Sequence, residues 1–160
     1  MLFRQLFEPQ SCTYTYLLGC EVTRKAVLVD PVLETFSRDL DVVQELELEL
    51  ALTLDTHIHA DHLTSALKLK SLTSCQIGVP QKAGVECADV QVTEQKPITI
   101  GTLMIDALFT PGHTDHHHCY GFSAGASAAV LSGDCLLIDG CGRTDFQGGS
   151  SSALYAAIHS

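Results

Sequence analysis

The stretch Thr56-His57-Ile58-His59-Ala60-Asp61-His62 places three imidazoles and one carboxylate within seven positions. It follows the apolar run Leu50 to Asp55, which we interpret as a strand, so that the histidines emerge at a strand end. Neutral imidazole and carboxylate groups together suit borderline divalent metals such as Zn²⁺ and Fe²⁺. The stretch therefore predicts a metal site at the edge of a sheet.

Two later segments extend this pattern. Pro111-Gly112-His113-Thr114 follows the apolar run Leu103 to Thr110, and Ser132-Gly133-Asp134 follows Ala128 to Leu131. Rigid strands can deliver ligands to a common edge, while short loops hold them there. An isolated histidine is usually an ordinary core or surface residue, but this full set in this order predicts a metal site.

A run of three further histidines, His116-His117-His118, lies beside His113. Local histidine runs can bind metal, but they are more often solvated loops, and we interpret this run in that way. We accordingly expect His117→Ala to leave metal retention largely intact.

Length and composition predict one globular domain over residues 1–160, because 160 residues with 46% hydrophobic content can bury a core. The 9 basic and 19 acidic residues give a formal charge of −10. This charge argues against nucleic acid or an anionic membrane surface as a partner. Any anionic substrate would be attracted locally, by a metal or a few cations.

The cysteine pattern and the N-terminus bear on the compartment. Seven cysteines form an odd set without a CxxC pair, which favours free thiols in a reducing compartment. Residues 1–9 lack the apolar core of a signal peptide and the composition of a transit peptide. No apolar run is long enough to cross a bilayer. We therefore predict a cytoplasmic protein without a membrane partner.

The coarse secondary structure follows from hydrophobic periodicity and turn residues. Strands are predicted at 2–7, 13–18, 26–31, 50–55, 75–79, 88–92, 98–100, 103–110, 119–122 and 128–131. Helices are predicted at 35–47, 63–72 and 153–159, the last with Ser150 or Ser151 as its N-cap. A turn over Ser123 to Ser127 joins the last two strands. This order favours two sheets with helices outside.

The motifs resemble those of the persulfide dioxygenase family, also called the ethylmalonic encephalopathy protein family, within the metallo-β-lactamase superfamily. The resemblance covers nearly the whole chain. Besides residues 56–62, it rests on Thr110-Pro111-Gly112-His113-Thr114, Gly133-Asp134-Cys135-Leu136-Leu137-Ile138 and Gly140-Cys141-Gly142-Arg143-Thr144-Asp145-Phe146-Gln147. It implies an α+β protein with the αββα metallo-β-lactamase fold, a two-sheet sandwich flanked by helices that lacks its C-terminal part.

The resemblance also implies roles for individual residues. One set would bind a single Fe(II) per chain as a facial triad with an open opposite face: His57, His113 and Asp134. A second set, which holds metal in two-metal hydrolases of the superfamily, would instead orient those ligands: His59, Asp61 and His62. Arg143, in the Gly-rich loop, would hold the pocket or a substrate carboxylate.

The implied reaction is the oxidation of glutathione persulfide by O₂ to sulfite, with release of glutathione. The alternative is a glyoxalase II-like hydrolase of S-lactoylglutathione, with two Zn(II) per chain and a bridging hydroxide. Two positions favour the dioxygenase. Ala60 stands where the hydrolase commonly has Trp, and residues 143–146 differ from its Arg-Phe-Phe-Glu type of sequence.

A third possibility is an inactive remnant that binds metal. Members of the family continue after the helix at 153–159 with further elements, including a Pro-Ala-His-Asp-Tyr type of motif that this sequence lacks. We therefore expect exposed apolar surface and an unpaired edge strand. Low stability, or association such as a homodimer, should follow.

Overall fold

Two facing β-sheets organise the chain in the computed structural model, which describes residues 1–125 and 127–159. The first sheet has the order β1-β2-β3-β4-β5-β6 and contains β1 (Leu2–Glu8), β2 (Thr13–Gly19), β3 (Lys25–Val29), β4 (Glu49–Leu54), β5 (Gln76–Pro80) and β6 (Val90–Val92). The second has the order β10-β9-β8-β7 and contains β7 (Ile98–Ile100), β8 (Leu103–Phe109), β9 (His118–Ala124) and β10 (Ser127–Leu131).

The α-helices of the described residues are α1 (Phe36–Glu45), α2 (Ala66–Thr73) and α3 (Ser151–Ile158). Short 3-10 turns occupy Leu33–Thr35 and Gln81–Ala83. The Ser150 side chain accepts a hydrogen bond from the Ala153 backbone N–H at 3.3 Å, so the predicted N-cap of α3 is confirmed. Among the described residues, no helix combines the length and apolar character needed to cross a membrane.

Strand direction places the candidate site at one edge of the first sheet. β1, β2 and β3 pair antiparallel, whereas β3, β4, β5 and β6 pair parallel. Parallel neighbours need crossover connections, and α1 and α2 lie within two of them. The carboxyl ends of β3 and β4 consequently meet, with Val29 opposite Leu54. Asp30 and the loop that begins at Asp55 emerge side by side.

The main core lies between the two sheets, as alternation along the strands requires. Its buried members are Leu18, Val27, Val29, Leu52, Leu54, Val92, Ile100, Ile105, Ala107, Tyr120, Phe122 and Leu131. On the opposite face of the first sheet, Leu17, Leu28 and Leu50 pack against Val43 of α1 and Leu69 of α2. Each fully buried side chain of this kind contributes roughly 1.5–3 kcal/mol.

The outer side of the second sheet is covered in part by α3, where Leu154 and Ile158 pack on Cys119 and Cys135. Helices thus flank both sheets, and the predicted αββα architecture is confirmed. Val27, Leu28 and Val29 have no exposed surface, as expected for a strand buried on both faces.

The start of α2 differs from the prediction. Helical spacing suggested a start at Leu63, but α2 begins at Ala66. The preceding residues are instead tied to the segment after β3, because the Leu33 N–H donates to Leu63 O and the Ser65 N–H to Pro31 O, both at 2.8 Å. These bonds hold the end of the metal-site loop against the first sheet. In the predicted turn over 123–127, residue 126 lies outside the described residues.

Exposed apolar side chains lie on the second sheet. Met104 and Leu108 of β8 and Val130 of β10 are exposed, and β10 pairs only with β9 among the described strands. The predicted apolar surface and edge strand are therefore present. Association through them stays a prediction.

Candidate metal centre

Three loops from three strand ends bring the predicted ligands together. His57 follows β4, His113 follows β8 and Asp134 follows β10. One donor atom from each of the three lies within 4.8 Å of the others. His113 Nε2 is 3.4 Å from Asp134 Oδ2, and the rings of His57 and His113 meet edge to face with centroids 4.8 Å apart. The three proposed ligands therefore follow strands of both sheets.

A hydrogen-bond relay fixes the tautomer of His57. The Thr56 hydroxyl donates to Asp30 Oδ2 at 3.0 Å, so its oxygen can accept from His57 Nδ1 at 2.9 Å. Burial, and then the neighbouring His59, lowers the pKa of His57 far below its usual value, and the ring is therefore neutral. With the proton on Nδ1, the lone pair on Nε2 is left for a metal.

His113 is oriented by backbone rather than by a side chain. Its Nδ1 lies 2.8 Å from the carbonyl oxygen of Arg143, which can only accept, so the Nδ1–H donates. Its Nε2 then faces Asp134 as a lone pair. Gly142 makes this approach possible, because a Cβ there would lie 2.7 Å from His113 Nδ1 and 2.3 Å from Asp134 O.

The donor set fits a divalent metal. Two imidazole lone pairs and one carboxylate group lie together, and burial raises the pKa of Asp134 while the neighbouring His113 opposes that shift. A cation shared by the three groups would favour the charged carboxylate. Two histidines and one carboxylate form the facial triad of Fe(II) oxygenases, and the same donor types also bind zinc.

The second predicted set, His59, Asp61 and His62, also offers donor atoms within 4.8 Å of one another. His59 Nε2, however, lies 3.1 Å from Asp30 Oδ1, and both side chains are buried. Burial alone would lower the pKa of His59, but nearby carboxylates, Asp30 first, raise it to about 9. His59 is thus held as the cationic partner of Asp30.

His62 lies at the edge of that set. Its Nδ1 is 3.1 Å from Asp61 Oδ1 and 3.3 Å from the Thr13 hydroxyl, so it links the ligand loop to the hairpin of β1 and β2. Among the described residues, nothing forms a hydrogen bond with its buried Nε2.

Asp30 is a site residue that the sequence interpretation missed. Its carboxylate accepts from the Thr56 backbone N–H at 2.7 Å and also binds the Thr56 hydroxyl and His59. Burial alone would raise its pKa, but these partners, His59 first, lower it. The available signal was an acidic residue and Pro31 at the end of a fully apolar strand.

The histidine run at 116–118 is not a solvated loop, and that prediction is wrong. All three side chains are buried, with His117 fully inaccessible. The segment passes between the loops that carry the ligands: the His118 N–H donates to Thr56 O at 2.9 Å, and the Thr110 N–H to His117 O at 3.0 Å. Backbone pairing draws the side chains into the interior.

A cavity of about 480 Å³ opens onto the candidate ligands. It is lined by His57, Ala60, Asp61, His113, Asp134, Leu137, Cys141, Gly142, Arg143, Phe146 and Gln147. A second cavity, of about 530 Å³, reaches Asp61 and Asp134 from the side of the β1–β2 hairpin. The site is thus accessible from two directions.

Arg143 lies on the wall of the first cavity, as its position in the Gly-rich loop suggested. Its guanidinium group makes a bidentate pair with Asp145, at 2.7 and 3.0 Å, and both side chains are exposed. Such an exposed pair is weak and can exchange partners. A role in substrate binding stays a prediction.

Comparison with known proteins shows the family of the chain. Residues 13–160 match the profile of the family described as the metallo-beta-lactamase superfamily. The mitochondrial persulfide dioxygenase ETHE1 of Mus musculus is 45% identical over 160 residues, which cover 99% of this chain and 62% of the relative. The crystal structure of ETHE1 from Myxococcus xanthus is 46% identical with a TM-score of 0.93, over 99% of this chain and 68% of that one. The chain belongs to the persulfide dioxygenase family of the metallo-β-lactamase superfamily.

Hydrolases of the superfamily are more distant from this member of the persulfide dioxygenase family. A probable hydroxyacylglutathione hydrolase of Schizosaccharomyces pombe is 34% identical over 156 residues, which cover 91% of this chain and 57% of the relative. The chain spans less than two thirds of the length of the curated relatives named here. Membership of the superfamily implies metal binding, in agreement with the three-residue set.

Proposed function

We propose that this chain carries the iron centre of a persulfide dioxygenase, which oxidises glutathione persulfide with O₂ to sulfite and glutathione. His57, His113 and Asp134 would hold one Fe(II) per chain. The observation that carries the proposal is the buried pair of Asp30 and His59, 3.1 Å apart. In this pair a carboxylate occupies His59 Nε2. His59 is then not available as the further imidazole ligand that a two-metal site would require beside His57, His113 and Asp134.

The proposed reaction balances as GSSH + O₂ + H₂O → GSH + SO₃²⁻ + 2 H⁺. When bound, Fe(II) would supply open coordination positions and the redox steps that join oxygen to the terminal sulfur. A persulfide sulfur is a soft anion, and a local cationic centre attracts it despite a formal charge of −10 on the chain.

The chain's own residues would bind and orient the substrate. Ala60, Leu137 and Phe146 give the cavity an apolar surface near the ligands, which limits water around the reacting sulfur. Arg143 lies on the same wall and could exchange Asp145 for a carboxylate of the glutathione part. The persulfide would then enter with its sulfur towards His57 and His113.

A binuclear thioester hydrolase is the second candidate. It is favoured by the donor atoms of His59, Asp61 and His62, which lie within 4.8 Å of one another, and by the similarity to the yeast hydrolase. To bind a second metal, His59 would have to leave its buried partner Asp30. That exchange separates two opposite charges in the interior and is costly.

The proposal is tested by supplying the chain with each metal and each substrate. Chain loaded anaerobically with Fe(II) should consume O₂ with glutathione persulfide and release one sulfite per O₂, whereas His113→Ala should not. Hydrolysis of S-lactoylglutathione by zinc-loaded chain, without O₂ uptake by iron-loaded chain, would favour the second candidate. Metal binding with neither activity would favour an inactive metal-binding remnant.

The remaining expectations concern the partners and the cellular location of the protein. Glutathione persulfide and O₂ are the proposed small-molecule partners, and no nucleic-acid or membrane partner is expected. The cytoplasmic location stays a prediction, and the mouse relative is named as a mitochondrial protein.

A further inference from the structure

The buried histidines 116 and 117 each contact the backbone of a loop that carries a proposed ligand. The Ile58 N–H, next to His57, donates to His116 Nε2 at 3.0 Å. The Asp134 N–H donates to His117 Nε2 at 3.2 Å. A backbone N–H can only donate, so both Nε2 atoms act as acceptors.

We propose that His116 and His117 are positioning residues, which fix the loops of His57 and Asp134 through these imidazole acceptors and thereby set the geometry of the metal site. The inference rests on the proposed ligand set but not on the proposed substrate. It reverses the expectation from the sequence that His117 can be removed without effect on the metal.

The surroundings of His117 hold its ring in one orientation. Its Nδ1 lies 2.9 Å from the Thr110 hydroxyl, and its ring stacks on that of His57 with centroids 5.1 Å apart. Gly133 has φ +47, and a Cβ there would lie 2.6 Å from His117 Nε2. The imidazole therefore touches one proposed ligand through its ring face and another through its nitrogen.

His116 contacts the loop of His57 in a similar way. Its Nδ1 lies 2.9 Å from Asp115 Oδ1, which leaves Nε2 as the acceptor for Ile58. His118 provides the contrast within the same segment. It is equally buried, but its Nδ1 donates to His116 O at 3.0 Å, and its ring packs near Phe109 with centroids 5.3 Å apart. Through these contacts the His118 side chain binds neither the loop of His57 nor the loop of Asp134.

Groups that orient metal ligands typically change metal affinity by about 10–100-fold when they are removed.

Two substitutions distinguish the contact made by Nδ1 of His117 from the contact made by its Nε2. The side-chain amide of Asn reaches the position of Nδ1 and can keep the contact with Thr110, but it leaves the Asp134 N–H without an acceptor. The longer Gln can place its oxygen near the position of Nε2 and accept from Asp134.

The test measures Co(II) and Fe(II) affinity by anaerobic competition with a chelator, together with thermal unfolding of the metal-free chain. His117→Asn should weaken affinity about 10–100-fold, His117→Gln should recover most of the loss, and His116→Asn should also weaken binding. His118→Asn is the matched control, since it keeps the donor to His116 O. It should change metal-free stability as much as His117→Asn does, but not metal affinity.

Wild-type affinity in His117→Asn, or equal losses in His117→Asn and His117→Gln, would overturn the inference. A loss of affinity in His118→Asn equal to that in His117→Asn would also overturn it, because a general packing role would then suffice. If the wild-type chain binds metal and the variants behave as expected, but persulfide is not oxidised, only the proposed function fails. If His113→Ala binds metal like the wild type, the ligand set and this inference fail together.

Discussion

Oδ1 of Asp30 lies 3.1 Å from Nε2 of His59, and both side chains are more than nine-tenths shielded from solvent. Asp30 directly follows β3, whereas His59 belongs to the loop after β4. The pair therefore locks the ligand-bearing loop to the neighbouring strand. It also occupies the imidazole nitrogen that a second metal would need.

Removal of this carboxylate should destabilise the fold strongly. Asp30→Ala leaves His59 as a buried charge without its partner, and breaking such a pair costs about 3–5 kcal/mol. Asp30→Asn should cost less, because an amide oxygen can still accept from the Thr56 N–H. Urea unfolding followed by circular dichroism measures both changes. Asp106→Ala, at an exposed position of β8, is the control, and an equal effect from it would contradict the assignment.

Gly133→Ala should disrupt the site beyond its backbone strain. A side chain at φ +47 costs about 1–2 kcal/mol, and here its Cβ would also lie 2.7 Å from Thr56 Oγ1. Gly84 has φ +67 but nothing within 4 Å of its Cβ position, so Gly84→Ala isolates the strain. Metal content after purification should fall for Gly133→Ala only. Equal metal content in the two variants would show that the Gly133 contact is unimportant.

The Tyr120 hydroxyl should contribute measurably to the contact between the sheets. It donates to Asp55 O at 2.8 Å, in the fully buried region where β9 meets the end of β4. Tyr120→Phe should lower the free energy of unfolding by about 0.5–1.5 kcal/mol. Chemical denaturation of this variant beside Tyr155→Phe, an exposed control, provides the measurement. Equal free energies of unfolding in the two variants would show that the Tyr120 hydroxyl does not stabilise the fold.

The loss of stability on acidification should depend in part on Asp89, far from the metal centre. Lys70 Nζ binds its two oxygens at 2.6 and 2.7 Å, and the Ile77 N–H donates at 2.8 Å, which lowers the pKa of Asp89 below 3.8. The depressed pKa means that its stabilisation is present above pH 3.8 and is lost as pH falls through the folded value. Asp89→Asn should be less stable than wild type at about pH 6, and the gap should close in acid. A gap that persists below the folded pKa, or that Glu86→Gln reproduces, would contradict this.

Most elements of the fold could be predicted because their signals are local. The unbroken apolar run 26–29 is fully buried in β3, and buried and exposed residues alternate along β8 from Met104 to Leu108. The start of α2 could not be predicted, since it depends on backbone bonds between residues 63–65 and the segment after β3. Helical spacing continues through residues that the tertiary structure holds in another conformation.

The candidate ligands could be proposed from sequence because each stands at the end of an apolar run. The role of Asp30 could not be predicted, because it depends on the pairing of β3 with β4. The three consecutive histidines were misinterpreted for a related reason. Composition predicts a solvated run, but hydrogen bonds to Thr56 and Thr110 place the segment between two ligand-bearing loops. Such contacts join distant parts of the chain and leave no local pattern.

Anaerobic metal titration of the chain, followed by elemental analysis, tests the proposed mononuclear centre most directly. Wild type and His62→Ala should retain about one Fe(II) per chain, while His57→Ala and Asp134→Ala should retain none. Two metals per chain in the wild type, with loss of one in His62→Ala, would contradict the mononuclear triad.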